Sequence, residues 1–135
     1  MRKPLALLAI SALAACANQT SEPGAATTAA NDRVPAATPI GEARTCIPIN
    51  QIRESRVRSD QVIDFVTRGN DVYRVTLPQR CPQLGFERRF AYATSLNQLC
   101  AQDIVTVLFQ AGGGLQRGAS CGLAPFQPVR LEERR

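Results

Sequence analysis

Apolar and polar residues alternate most clearly on either side of a glycine-centred break. Val62-Ile63-Asp64-Phe65-Val66-Thr67-Arg68 and Val72-Tyr73-Arg74-Val75-Thr76-Leu77 flank Gly69-Asn70-Asp71. Two β-type runs joined by a short Gly/Asn/Asp segment predict a hairpin. Loop length decides which side chains share a face, because a slip of one residue inverts one strand. With a three-residue loop Arg68 faces Val72, and the pairs run Thr67–Tyr73, Phe65–Val75 and Ile63–Leu77. That arrangement makes one face nearly wholly apolar and leaves Asp64, Arg68, Arg74 and Thr76 on the other. A two-residue loop would set Asp64 beside Tyr73, Val75 and Leu77, so the three-residue loop is the prediction.

Further runs extend this picture. Residues 53–58 read as a strand before the hairpin, and residues 88–94 and 104–109 as strands after it. Between the latter two, Ser95-Leu96-Asn97-Gln98-Leu99-Cys100 fits one capped helical turn with Leu96 and Leu99 facing inward. Residues 121–123 and 126–129 supply a last edge strand, where Pro125 and Pro128 are tolerated. The expected fold is all-β with a minor helix: a small, partly open β-barrel or β-roll of five to six short antiparallel strands.

The N-terminus follows a different pattern. Arg2 and Lys3 precede an apolar run from Pro4 to Leu13, and a polar stretch begins soon after. This is the layout of a secretory signal peptide, and the run is about half the roughly 20 residues a membrane span needs. Leu13-Ala14-Ala15-Cys16 resembles the bacterial lipobox. The resemblance implies cleavage before Cys16, a diacylglycerol on its sulfur and acylation of the new amine, including palmitate-type chains. Two or three chains hold a protein firmly in a membrane where one does not. Ala17, rather than Asp, follows the cysteine, which in the Gram-negative sorting rule implies the outer membrane, facing the periplasm. The expected organisation is a signal peptide at residues 1–15, then Cys16 and an Ala/Thr/Pro-rich disordered tether over 16–45. A single β-rich domain over 46–131 and a charged tail over 132–135 follow. The tether cannot bury enough apolar surface to repay ordering.

Removing Cys16 from the cysteine count leaves four: Cys46, Cys81, Cys100 and Cys121. An even number in a small exported domain predicts two disulfides, which matter for a domain of under ninety residues. Three connectivities are open. Tying the ends of the domain together favours Cys46–Cys121 with Cys81–Cys100. Structural zinc needs closely spaced ligand pairs. The cysteines lie far apart and the chain has no His, so no metal and no cofactor is expected.

Charge adds little by itself. From residue 46 onward there are twelve Arg and eight acids, and the single Lys lies in the leader. A mildly basic chain suits an anionic glycan, envelope protein or membrane surface, and no nucleic-acid motif is present. Gly113-Gly114-Leu115-Gln116-Arg117-Gly118-Ala119-Ser120 approaches a phosphate-binding loop, but Ala119 stands where the essential Lys belongs. It reads as a flexible loop between strands. Without His there is no Ser–His or Cys–His pair, and no general acid/base pair stands out among the carboxylates, so an enzyme is not expected. Asp103, after a tight turn and before a strand, suits an Asx-type turn.

The arginines carry the sharper signal. Arg56 and Arg58 share strand parity, and Arg68 and Arg74 share the polar hairpin face with Asp64 diagonal to Arg74. If the first strand pairs beside the hairpin, these four form one basic face suited to carboxylate or phosphate.

The folded region also resembles small, uncharacterised four-cysteine lipoproteins of Gram-negative bacteria. The similar stretches are Arg68-Gly69-Asn70-Asp71-Val72-Tyr73-Arg74, Leu77-Pro78-Gln79-Arg80-Cys81-Pro82, Leu99-Cys100-Ala101-Gln102-Asp103 and Gly118-Ala119-Ser120-Cys121-Gly122-Leu123-Ala124-Pro125-Phe126. The resemblance implies no substrate and no catalytic residue. The functional expectation is a lipid-anchored, periplasm-facing structural or interaction module. The alternatives are a binder of a small anionic ligand or glycan, and an inhibitor of a cell-wall enzyme.

Overall fold

A computed structural model describes residues 34–94 and 96–132. The signal peptide, Cys16, most of the expected tether, Ser95 and residues 133–135 lie outside the described residues.

Ten short strands occur among the described residues. In chain order they are β1 (Ala37–Pro39), β2 (Cys46–Pro48), β3 (Ile52–Val57), β4 (Val62–Thr67), β5 (Val72–Thr76), β6 (Phe90–Tyr92), β7 (Gln98–Cys100), β8 (Ile104–Ala111), β9 (Gly114–Gly122) and β10 (Gln127–Leu131). A 3-10 turn covers Ile49–Gln51, and one helical turn, α1, covers Leu84–Glu87. The strands form three antiparallel sheets, ordered β1-β10-β5-β4-β3, β2-β7 and β6-β8-β9. The all-β, disulfide-stapled class is therefore the one the chain adopts. It is carried by three open sheets, and several strands are only three residues long, too short for alternation to reveal.

The hairpin forms with a three-residue loop, but one residue earlier than expected. The loop is Arg68-Gly69-Asn70: Thr67 N–H donates to the Asp71 carbonyl at 2.9 Å, and Asn70 N–H to the Thr67 carbonyl at 3.0 Å. Asn70 takes the left-handed conformation, φ 66°, which Asn tolerates and which a three-residue hairpin loop requires at its end. The register becomes Phe65↔Tyr73 and Ile63↔Val75, two residues from the expected pairing. A shift of two preserves the faces, so Ile63, Phe65, Tyr73 and Val75 still point together into the core. Asp64 now lies directly opposite Arg74 instead of diagonal to it.

That apolar face meets Val105 and Val107 of β8, with Leu84, Leu99, Leu123 and Phe126 completing the core. Phe65 sits at its centre, edge-on to Phe126 at 5.6 Å and to Phe90 at 6.3 Å between ring centroids. Such contacts add about 0.5–1.5 kcal/mol beyond the area they bury.

Four sequence expectations are corrected. First, Leu99 is buried in a strand, β7, rather than in a helical turn, and Leu96 is exposed. Pairing of β7 with β2 sets Leu99 against Ile47, and this tertiary pairing outweighs the local capping signal. Second, residues 114–120 belong to the nine-residue strand β9, and the turn is the pair Gly112-Gly113 alone, at φ 59° and 83°. Two positive-φ residues in a two-residue loop match the strand twist, so the glycines end the hairpin and leave the rest free to pair.

Third, the last strand, β10, is interior, because residues 37–39, expected in the tether, pair with it as β1. Pro128 fits because the N–H it lacks falls just where β1 ends, while its carbonyl still accepts Ile40 N–H at 3.0 Å. Fourth, the disulfides are Cys46–Cys100 and Cys81–Cys121, not Cys46–Cys121 with Cys81–Cys100. The β2–β7 register puts Cys46 directly opposite Cys100. Cys121, opposite Val105 on β9, is left to meet Cys81 in the loop after β5.

Candidate basic interface around Asp64

Residues 62–66 read Val-Ile-Asp-Phe-Val, and the lone carboxylate in that run is fully buried, at 0 % exposure. Desolvating an ionised carboxylate costs several kcal/mol unless opposite charge and hydrogen bonds compensate it. Two arginines supply both. Arg74 grips it as a fork, Nε to Oδ1 at 2.8 Å and Nη2 to Oδ2 at 3.0 Å. Arg58 Nε donates to Oδ2 at 2.8 Å. Arg74 Nη1 turns away and donates to the Pro35 carbonyl at 2.9 Å. The chain at residue 35 therefore lies over this face of the sheet.

β3 carries Arg56 into register with Asp64, so Arg56, Asp64, Arg74 and Gln127 form one row across β3, β4, β5 and β10. Arg56 stays exposed and pairs with Glu54, which also receives Arg53. The Arg56 hydrogen bond holds the exposed Glu54 carboxyl below its usual range. The Arg53 Nη1 donates to Asn70 at the hairpin loop at 2.6 Å. Four guanidinium groups thus meet two carboxylates, and the surface they form is net basic. Among the described residues the side-chain hydrogen bond of Arg58 is made by its Nε, and 19 % of the side chain is exposed.

The structure thus brings together Arg56, Arg58 and Arg74 of the expected basic face. It separates Arg68, which sits in the hairpin loop and donates from Nε to the Asn50 carbonyl at 2.8 Å. Arg53 takes its place at the edge of the patch. The sequence signal for Asp64 was present, since an acid inside an apolar run needs a partner. Strand parity marks Arg58 together with Arg56, although Arg58 lies beyond the end of β3, where the chain curls back at Ser59, whose Oγ accepts the N–H groups of Gln61 and Val62.

A further ion pair lies just before the start of β4. Asp60 accepts Arg80 Nη2 at 2.6 Å and Gly85 N–H at 2.8 Å. Burial alone would raise its carboxyl, but the Arg80 hydrogen bond, the Gly85 N–H and the Arg80 charge together hold it below the usual aspartate range. Asp103 accepts Cys100 N–H at 2.7 Å, closing the turn between β7 and β8.

Asp64 has both oxygens committed, so it offers no free base, and its role is to hold two guanidinium groups in place. Beside Arg74 lies a shallow cavity of about 320 Å³ lined by Ala37, Pro39, Thr76 and Gln127. A groove of about 400 Å³ on the other sheet is lined by Tyr92, Gln102, Thr106 and Arg117. Among the described residues no three His, Cys, Asp or Glu side chains converge as a metal site would need.

Compared with known proteins, the chain matches, over residues 1–133, the family described as "Family of unknown function (DUF6491)". No curated protein and no solved structure matches it.

Proposed function

The chain belongs to that family of unknown function, and we propose that it is a lipid-anchored envelope protein whose β-domain serves as a periplasm-facing interaction module. The observation that carries this reading is the pairing of all four domain cysteines in two disulfides. They lie downstream of Leu13-Ala14-Ala15-Cys16 and its apolar leader. Disulfides of this kind persist in oxidising compartments, and the leader accounts for how the chain reaches one. Outer-membrane placement rests on Ala17.

The test is the intact mass of the protein from the membrane fraction. The expected N-terminal peptide begins at an acylated Cys16. Soluble, unmodified protein with a different N-terminus overturns the reading. Crosslinking and recovery of the anchored form, with Cys16→Ser as control, then tests the interaction role. Envelope partners recovered only from the anchored protein support it. The same background from both forms leaves a structural spacer.

One observation favours a second reading, a binder of an anionic ligand or glycan: the excess of guanidinium groups around Asp64 and Glu54.

A further inference from the structure

We propose that the face carrying Arg53, Arg56 and Arg58 docks on the anionic headgroups of the membrane that holds Cys16; this rests on the lipid-anchored reading above. Three observations converge on it. The face is net basic because its one buried acid is consumed by Arg58 and Arg74, and its other acid, Glu54, is shared by Arg53 and Arg56. The arginines there are placed by polar contacts: Arg58 donates to Asp64, and Arg53 to Asn70 and Glu54.

The third observation is the path of the chain. Arg74 Nη1 binds the Pro35 carbonyl, so the N-terminal end of the described chain reaches the same side of the sheet as the basic residues, entering from the β1 edge. Residues 17–33 separate it from Cys16. Seventeen residues span at most about 60 Å, at roughly 3.3–3.6 Å each. An acylated Cys16 would thus keep the basic face within about 60 Å of the membrane surface. Confinement of that kind raises the effective concentration of the second contact. Neither a soluble glycan nor a small ligand gains from that proximity, and this is why the membrane is the occupant favoured.

Each basic residue near an anionic surface contributes about 1 kcal/mol, roughly fivefold in the docked fraction, and the effect dies away within a Debye length. Losing both Arg53 and Arg56 should therefore lower the ratio of docked to undocked protein by roughly 25-fold. Arg58 and Arg74 are left intact, since Asp64 needs them.

The full acylated protein is reconstituted in supported bilayers of phosphatidylcholine alone or of phosphatidylcholine and phosphatidylglycerol in equal parts. Neutron reflectometry then reads the height of the domain above the headgroups. The parent should lie against the anionic bilayer, stand off the zwitterionic one, and lift when salt is raised. R53Q/R56Q should stand off both, while R53K/R56K should dock like the parent, because a headgroup surface reads charge rather than fork geometry. Equal heights on both bilayers, or a parent indistinguishable from R53Q/R56Q, overturn the proposal. So does a domain that ignores the anionic bilayer yet binds a soluble polyanionic glycan. The mass of the N-terminal peptide is read on the same sample. An unmodified Cys16 overturns the anchor reading and the docking with it, whereas an acylated Cys16 with an indifferent domain overturns the docking alone.

Discussion

Asp64 and Arg74 face each other across β4 and β5, and the Arg74 fork engages both oxygens of a carboxylate that no solvent reaches. Bidentate geometry makes this one of the stronger contacts a side-chain pair can form. Its worth to stability is a different matter, because two desolvated charges cost nearly what they return.

Removing one partner should be far worse than removing both. Arg74→Met strands a buried carboxylate with only Arg58, and should destabilise the domain by about 3–5 kcal/mol. Asp64→Leu alone leaves a guanidinium without its counter-charge. The double variant Asp64→Leu/Arg74→Met should recover much of the loss, since Arg58 can turn to water. Urea unfolding of the four proteins measures the coupling. Additive losses would mean that the pair contributes as two independent side chains.

The disulfide pairing has a direct chemical readout. Peptide mapping without reductant should link the peptide containing Cys46 to that containing Cys100, and Cys81 to Cys121. Alkylation of the native protein should label none of the four. Replacing either bridge with a Ser pair should cost about 2–5 kcal/mol. A Cys46–Cys121 peptide would show that β2 and β7 do not pair in the register described.

Acid should loosen the Asp60 end of β4. The Asp60 carboxyl is held below its usual value by Arg80 and Gly85, so the folded state binds its proton less readily than the unfolded chain. The stabilisation is then fully present above an aspartate's ordinary pKa of about 3.9 and is lost as pH falls through the lower folded value. Asp60→Asn should lower stability at neutral pH and flatten its decline below about pH 4. Unfolding followed across that window measures both slopes. Parallel curves for parent and variant would show that Asp60 contributes nothing to the acid limb.

How far the sequence could be read depended on the range of the signal. The hairpin faces are legible because alternation over six residues survives a two-residue error in register, and the same alternation sets Asp64 and Arg74 on one face. Cysteine pairing was not legible, because it follows from β2 and β7, strands of three residues whose partners lie some fifty positions apart. The basic face was half legible. Strand parity found Arg56 and Arg74, and took in Arg58, which reaches Asp64 from beyond the strand end. It wrongly included Arg68, since a loop residue has no parity. Arg53 was missed because β3 shifts register between Ile52 and Glu54, and a bulge leaves no local trace in composition. Residues 37–39 looked like tether by the same reasoning: an edge strand of Ala, Thr and Pro owes its order to β10, not to its own side chains.

The order of elements along the chain also fixes how the domain yields when pulled. A load applied through the N-terminal side meets the Pro35–Arg74 contact first, then β1, then the Arg44–Phe126 bridge, and then Cys46. Everything up to Cys46 can peel away, releasing about 40 Å of slack from twelve residues. Beyond that point the Cys46–Cys100 bond takes the strain, and the Cys81–Cys121 bond interlocks with it. Tension strips a short frayed leader from the sheet and then crosses the Cys46–Cys100 bond, so residues 47–80, Phe65 among them, stay outside the load path.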